Sequence, residues 1–162
     1  GLTNGSKLLA CMLMIVGGSP AGTAGGIKTT TVAVLLLTAI SVLRGNKDTE
    51  CYGRKITFEI IRVAITITLV TFVFWLFGVT VMTVIEPQQK VLDLMFEATS
   101  AMATVGLTVD LTPVLSDISH VVLMLMMYIG RIGPMTMALI FSGHVDKKNQ
   151  FRTLPEAKIM VG

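Results

Sequence analysis

The sequence contains little charge. Only 14% of its 162 residues are Asp, Glu, Lys or Arg, against about a quarter in soluble domains. The charges are clustered, so that long uncharged runs separate them, and the mean hydropathy is +0.76. This composition excludes a soluble domain and predicts an integral membrane protein with lipid as its first partner. The net charge of +3 is too small and too dispersed to indicate a nucleic-acid partner.

The residues from which disulfides, metal sites and active sites are built are also scarce. The two cysteines, Cys11 and Cys51, fall in different parts of the predicted topology and are not expected to pair. The two histidines, His120 and His144, are far apart with no other ligands nearby, which argues against a metal site. No catalytic set converges on the apolar runs, so neither an enzyme nor a bound cofactor is predicted. The chain begins at Gly1, without an initiator Met or a visible signal peptide, which suggests the C-terminal part of a longer protein.

The long apolar segments predict the membrane crossings. Val63–Ile85 has 23 residues without a charge and is long enough to span a bilayer. Leu8–Val16 and Val32–Leu43 are each too short, but together they predict one helix that is broken by a glycine-rich loop at 17–31. That loop contains five glycines, one proline and four threonines, which excludes a regular helix interior. The last span is predicted over His120–Phe141.

Between these spans, the stretch 91–108 (VLDLMFEATSAMATVGLT) is too short to cross a membrane. Its first twelve residues, Val91–Met102, predict a helix of about 18 Å, roughly half of a hydrocarbon core of about 30 Å. A half-length helix followed by Thr-Val-Gly is typical of a pore loop, in which the backbone carbonyls of Thr104, Val105 and Gly106 bind a dehydrated K⁺ ion. The other interpretation is an amphipathic surface helix followed by a turn. The predicted filter comprises Thr104, Val105, Gly106 and Leu107.

The distribution of basic residues predicts the orientation. Segment 44–62 has five Lys or Arg residues and the tail has four, whereas segment 86–117 has only Lys90 against five acidic residues. The positive-inside rule therefore places the first two in the cytoplasm and opens the pore loop to the outside, where its acidic mouth would attract cations. The predicted divisions are a broken helix at 1–43, a cytoplasmic loop at 44–56, a helix–pore loop–helix unit at 57–143 and a cytoplasmic tail at 144–162.

Two basic residues lie inside apolar segments, where a charge is costly. Arg131 interrupts the last span within Gly130–Pro134. It either faces the pore below the filter as a barrier to cations or satisfies carbonyls freed by its own kinked helix. Lys28 ends a pattern that resembles a phosphate-binding loop but has Ile27 where the second glycine is needed, so nucleotide binding is disfavoured. The glycine-rich loop is interpreted as a gate, with a passive kink as the alternative. The predicted gate residues are Gly22, Gly25, Gly26, Lys28, Thr29 and Arg131.

Three motifs in this order resemble a known family. The sequences GGSPAGTAGGIKTTT, ATSAMATVGLT and YIGRIGPMT resemble those of the membrane subunit of Trk/Ktr-type potassium transporters, most closely the Ktr branch. The resemblance implies an all-α membrane protein in which four helix–pore loop–helix repeats surround one path. Residues 8–43 then correspond to the second helix of the third repeat and residues 57–143 to the fourth repeat. About one and a half repeats cannot close a four-sided filter, so this chain is not expected to conduct alone.

The resemblance also implies potassium uptake across the plasma membrane, often coupled to sodium. It implies a homodimer of membrane subunits and a cytosolic ring of nucleotide-binding regulatory subunits, which segment 44–62 and the tail could contact. The residues themselves leave one alternative, a secondary transporter for an anionic solute with Lys28 and Arg131 as its ligands. The acidic mouth and the Thr-Val-Gly sequence argue against that alternative.

Overall fold

The protein is mostly helical, as the sequence predicts. The computed structural model describes residues 2–19, 25–45, 48–51 and 54–132. Within these ranges the helices are α1 (Asn4–Ile15), α2 (Thr29–Leu43), α3 (Phe58–Ile85), α4 (Val91–Met102) and α5 (Asp117–Ile132). A short antiparallel hairpin of β1 (Glu50–Cys51) and β2 (Arg54–Lys55) lies between α2 and α3, and a 3₁₀ turn (Thr112–Val114) lies between α4 and α5. The hairpin is a departure from the predicted all-α architecture.

Helix α3 is long and apolar enough to cross a membrane. Its 28 residues extend about 42 Å at the rise of an α-helix, and it begins at Phe58, five residues before the uncharged run. Only a narrow strip of the helix is buried, so most of its apolar surface is left for lipid. Threonine hydroxyls along α3 donate to the carbonyl four residues earlier, which satisfies them without water. These threonines are Thr66, Thr68, Thr71, Thr80 and Thr83.

The two halves of the predicted broken helix are joined by backbone hydrogen bonds across the break. Helix α1 ends at Ile15 and α2 begins at Thr29. The Gly17 N–H donates to the Ile27 carbonyl at 2.8 Å, and the Ile27 N–H donates to the Ile15 carbonyl at 3.3 Å. These bonds form a parallel bridge between Val16 and Ile27. The described ends of the glycine-rich loop therefore satisfy each other, as backbone at membrane depth must. Its middle, residues 20–24 with the predicted gate residue Gly22, lies outside the described residues.

Helix α4 is the centre of the fold, although it has only 12 residues. Helices α1, α3 and α5 all pack against it, and every side chain from Phe96 to Ala103 is buried. The Trp75 indole N–H on α3 donates to the Thr99 hydroxyl of α4 at 2.9 Å. Trp75 therefore has a polar contact in addition to the packing role expected from its mid-helix position.

The C-terminal end of α3 is tied to the start of α5 through Glu86. One carboxylate oxygen of Glu86 accepts the Ser116 N–H at 2.8 Å and the Ser119 hydroxyl at 2.9 Å. Helix α5 begins at Asp117 rather than at the predicted His120, because the serines and this carboxylate satisfy its first turn. The helix then continues through Gly130 and Arg131 to Ile132. The predicted interruption is therefore not present up to Ile132, and its remaining part at 133–134 lies outside the described residues.

The hydrogen bonds to Glu86 predict that the stability of the folded protein depends on pH. The Ser116 N–H, together with the Ser116 and Ser119 hydroxyls, lowers the pKa of Glu86 below its ordinary value. Because the pKa of Glu86 is lower in the folded state than in the unfolded state, its ionised carboxylate stabilises the folded state at pH values above the ordinary carboxyl pKa. This stabilisation is lost as the pH falls through the lowered pKa. Glu86→Gln should therefore reduce the melting temperature of the purified protein at neutral pH, with a difference from wild type that shrinks in acid. An equal loss in Glu59→Gln, an exposed carboxylate at the other end of α3, would contradict this.

Candidate functional site

The predicted filter begins where α4 ends. The Thr104 N–H donates to the Ala101 carbonyl at 3.1 Å, and the Val105 N–H donates to the Ser100 carbonyl at 2.9 Å. This pair of bonds is a Schellman closure, which normally places glycine in the left-handed conformation just after a helix. Here the left-handed position is Thr104, with φ +54°. A β-branched residue is strained at that angle, so contacts elsewhere must hold Thr104 in place.

The contact that holds Thr104 comes from the glycine-rich loop. The Gly25 N–H donates to the Thr104 hydroxyl at 2.8 Å. A Cβ added to Gly25 would lie 2.9 Å from both the hydroxyl and the methyl group of Thr104. Gly26 follows with φ +74° and lies against Ala103, whose Cβ would be 3.5 Å from an added Cβ. The structure thus brings the predicted gate residue Gly25 into direct contact with Thr104, the first predicted filter residue, and places Gly26 beside the preceding residue, Ala103.

The rest of the predicted filter is exposed and irregular. The side chains of Val105 and Leu107 are 45% and 53% exposed. Gly106 has φ +82°, and a Cβ added there would meet nothing within 4 Å. Glycine is therefore required at this position by the backbone angle and not by lack of space. Thr104 and Gly106 both have positive φ, so the backbone of this segment is irregular.

The return segment after the filter is held by Glu97, which is only 4% exposed. Its carboxylate accepts hydrogen bonds from the Thr108 hydroxyl, from the Val109 N–H at 3.1 Å and from the Thr112 hydroxyl at 2.8 Å. A second predicted mouth residue, Asp93, forms an ion pair with Lys7 of α1. Both of these carboxylates of the predicted acidic mouth therefore have partners within the protein. Asp110, in contrast, is exposed.

Arg131 shares a groove with the predicted filter. The groove has a volume of about 690 Å³, and its lining includes Thr104, Gly106, Tyr128 and Arg131. Gly130 sets this position, because a Cβ added to it would lie 1.9 Å from the Met102 carbonyl oxygen. Only glycine allows α5 to approach the last turn of α4 so closely.

The remaining predicted gate residues lie further along the loop. Lys28 immediately precedes α2 and is half-buried, and Thr29 is the first residue of that helix. The Thr29 N–H donates to the Gly18 carbonyl at 3.3 Å. Thr29 therefore takes part in the closure of the helix break, whereas Gly25 and Gly26 contact the end of α4. The described residues contain no group of three His, Cys, Asp or Glu side chains that could hold a metal ion.

Comparison with known proteins gives one family. A family model described as cation transport protein, TrkH, matches residues 2–152. The Ktr system potassium uptake protein B of Bacillus subtilis (strain 168) is 35% identical over 161 residues, which cover 99% of this chain and 35% of that relative. The potassium/sodium uptake protein NtpJ of Enterococcus hirae is 34% identical over 164 residues, which cover 99% of this chain and 36% of that relative. This chain therefore spans about a third of the length of these relatives.

The contact at Gly130 generates a stability prediction. Gly130→Ala places a methyl group against the Met102 carbonyl, and an overpacked site of this kind costs about 1–3 kcal/mol. We expect a lower melting temperature of the purified protein and weaker protection of the α4 backbone against hydrogen exchange. Gly5→Ala in α1 is the control, because a Cβ there meets nothing within 4 Å. Equal melting temperatures for the two variants would show that α5 does not depend on this close approach.

Proposed function

Because the chain belongs to the TrkH family of cation transport proteins, we propose that it forms one side of a potassium-uptake pathway across the plasma membrane. The family prediction is confirmed, and so is the prediction that the chain is not an enzyme, since its relatives are named as potassium uptake proteins. We propose K⁺ as the transported ion, with Na⁺ as the candidate coupling ion, and both are substrates rather than resident cofactors. The name of the Enterococcus relative includes both ions.

One observation supports a pore loop above all others. Helix α4 is half the length of a membrane span and is buried on all sides over its second half, whereas the chain becomes exposed from Val105 onward. A surface helix followed by a turn would not be buried on all sides in this way. Backbone that leaves a helix at membrane depth is tolerated where it lines a water-filled path. The negative end of the α4 dipole points to the same place and favours a cation there.

The proposed filter comprises the backbone carbonyls of Thr104, Val105 and Gly106, followed by Leu107. The proposed gate lies directly beside it, because Gly25 contacts Thr104 and Arg131 lines the groove that Thr104 and Gly106 share. A guanidinium at that position raises the energy of a passing cation. Lys28 lies at the start of α2 instead, which makes a joint anion site of Lys28 and Arg131 a weaker alternative.

A complete pathway requires further repeats, since one pore loop supplies one side of a filter. We propose that the chain works within the helix–pore loop–helix architecture of its family, as a homodimer of membrane subunits. The hairpin β1–β2 exposes Arg54 and Lys55 and, in the predicted orientation, faces the cytoplasm. It is the surface that we propose for contact with a nucleotide-binding regulatory ring. The predicted cytoplasmic tail lies outside the described residues.

The filter assignment predicts a loss of ion discrimination in Gly106→Ser. Any side chain at φ +82° is strained, and a displaced carbonyl changes the coordination of the ion. The K⁺ over Na⁺ discrimination of the transporter in uptake assays should fall by roughly tenfold, which corresponds to about 1.4 kcal/mol. Gly45→Ser is a matched control, because Gly45 also has a positive φ of +71° and open space around it but lies at the end of α2. Wild-type discrimination between K⁺ and Na⁺ in a folded Gly106→Ser variant would refute the assignment of the filter to these residues.

The gate assignment predicts that removing the Arg131 charge increases ion flux. Arg131→Ala should raise K⁺ uptake at constant protein amount, and Arg131→Lys should retain the barrier because it retains the charge. Shortening the loop 17–31 should also raise uptake. The combined change should be less than additive if the loop and Arg131 act as one barrier. Unchanged or reduced uptake in correctly folded Arg131→Ala would make this arginine a structural residue.

A further inference from the structure

We propose that Glu97 is the positioning residue of the filter, which holds the far end of the ion-binding segment at a fixed distance from its near end. This inference rests on the proposed function, because it assumes that residues 104–107 bind the transported ion. Glu97 itself does not contact the ion in this proposal. It acts through the backbone and hydroxyl groups of residues 108–112.

The first argument is that both oxygens of the Glu97 carboxylate accept hydrogen bonds. One oxygen accepts the Thr108 hydroxyl and the Val109 N–H, and the other accepts the Thr112 hydroxyl at 2.8 Å. A nearly fully buried carboxyl group is costly unless such donors surround it. All three donors belong to the return segment, 11 to 15 residues further along the chain. The hydrogen bonds thus fasten this segment to α4, and they occupy both oxygens.

The second argument is where the two attachments lie. The near end of the segment is attached through the Ser100 and Ala101 carbonyls, and the far end is attached through Glu97. Residues i, i+3 and i+4 share one face of a helix, so Glu97, Ser100 and Ala101 form a single row on α4. All three line the groove that contains Thr104 and Gly106.

Between the two attachments, the segment makes little contact with the rest of the described structure. Leu107 is more than half exposed, and Gly106 has open space where a side chain would be. The separation of the two attachments is therefore set by one turn of α4. Loss of the Glu97 attachment would free the segment at its far end while leaving the Schellman closure intact. The expected consequence is a less selective filter in a folded protein.

The experiment measures K⁺ over Na⁺ discrimination and the amount of folded transporter in membranes for a set of variants. Glu97→Gln keeps the size of the side chain but places an amide group opposite hydrogen-bond donors. Thr112→Val removes one donor without changing Glu97, and Thr112→Ser restores the hydroxyl. Thr80→Val is the control, since the Thr80 hydroxyl donates only to the Leu76 carbonyl of its own helix among the described contacts.

We expect Glu97→Gln and Thr112→Val to lower discrimination by roughly two- to tenfold, the range of one hydrogen bond's net contribution. Their double variant should lose less than the product of the two factors, because both changes remove the same attachment. Thr112→Ser and Thr80→Val should discriminate as the wild type does. If Glu97→Gln does not fold, the comparison of Thr112→Val with Thr112→Ser decides whether the Glu97 attachment sets ion discrimination.

Two results would overturn the inference. One is wild-type discrimination in folded Thr112→Val. The other is a Glu97→Gln variant with weaker K⁺ affinity while Thr112→Val behaves as wild type, which would make Glu97 a direct ligand of the ion. Gly106→Ser, measured in parallel, separates this inference from the proposed function. If Gly106→Ser alone changes discrimination, the filter stands and Glu97 is not its positioning residue. If Gly106→Ser changes nothing, the filter assignment itself is wrong.

Discussion

Backbone groups at membrane depth must find partners within the protein, and this requirement governs the arrangement of both non-helical segments. Water cannot satisfy them there, and each unsatisfied group costs several kcal/mol. The ends of the glycine-rich loop meet this requirement by pairing Gly17 with Ile27. The turn after α4 meets it through the Ser100 and Ala101 carbonyls, and the return segment through Glu97. The Gly25 N–H, finally, is satisfied by the Thr104 hydroxyl. The two irregular segments are therefore parts of one hydrogen-bonded unit.

Glycine makes this unit possible by allowing backbones to approach each other. At Gly25 and Gly130 an added Cβ would overlap Thr104 and the Met102 carbonyl, respectively. At Gly106 the reason is different, because the space is open and the backbone angle is what excludes other residues. The same residue type thus serves close packing at Gly25 and Gly130 and backbone conformation at Gly106.

Local patterns in the sequence were sufficient for most of the helices. The uncharged run indicated α3, glycine density indicated the gap between α1 and α2, and the predicted bounds of α4 are those of the structure. The family was identified from three motifs and is confirmed. The contacts within the site could not be predicted, because they join residues far apart in sequence. Gly25 and Thr104 are 79 residues apart, and nothing local marks Glu97 as an acceptor rather than a mouth charge. The close approach of α5 to α4 at Gly130 did have a local signal in the sequence, because Gly130 is a glycine inside an apolar helix.

The burial of α4 separates the proposed filter from the lipid. Changes in bilayer thickness act on lipid-facing helices, which tilt or shift to match the hydrocarbon core. In this fold α3 has that surface, whereas the second half of α4 has none. The ion-binding segment takes its dimensions from one turn of α4, a length fixed by covalent geometry and internal hydrogen bonds. We therefore expect the filter to keep its spacing in membranes of different thickness, while the outer helices adjust around it.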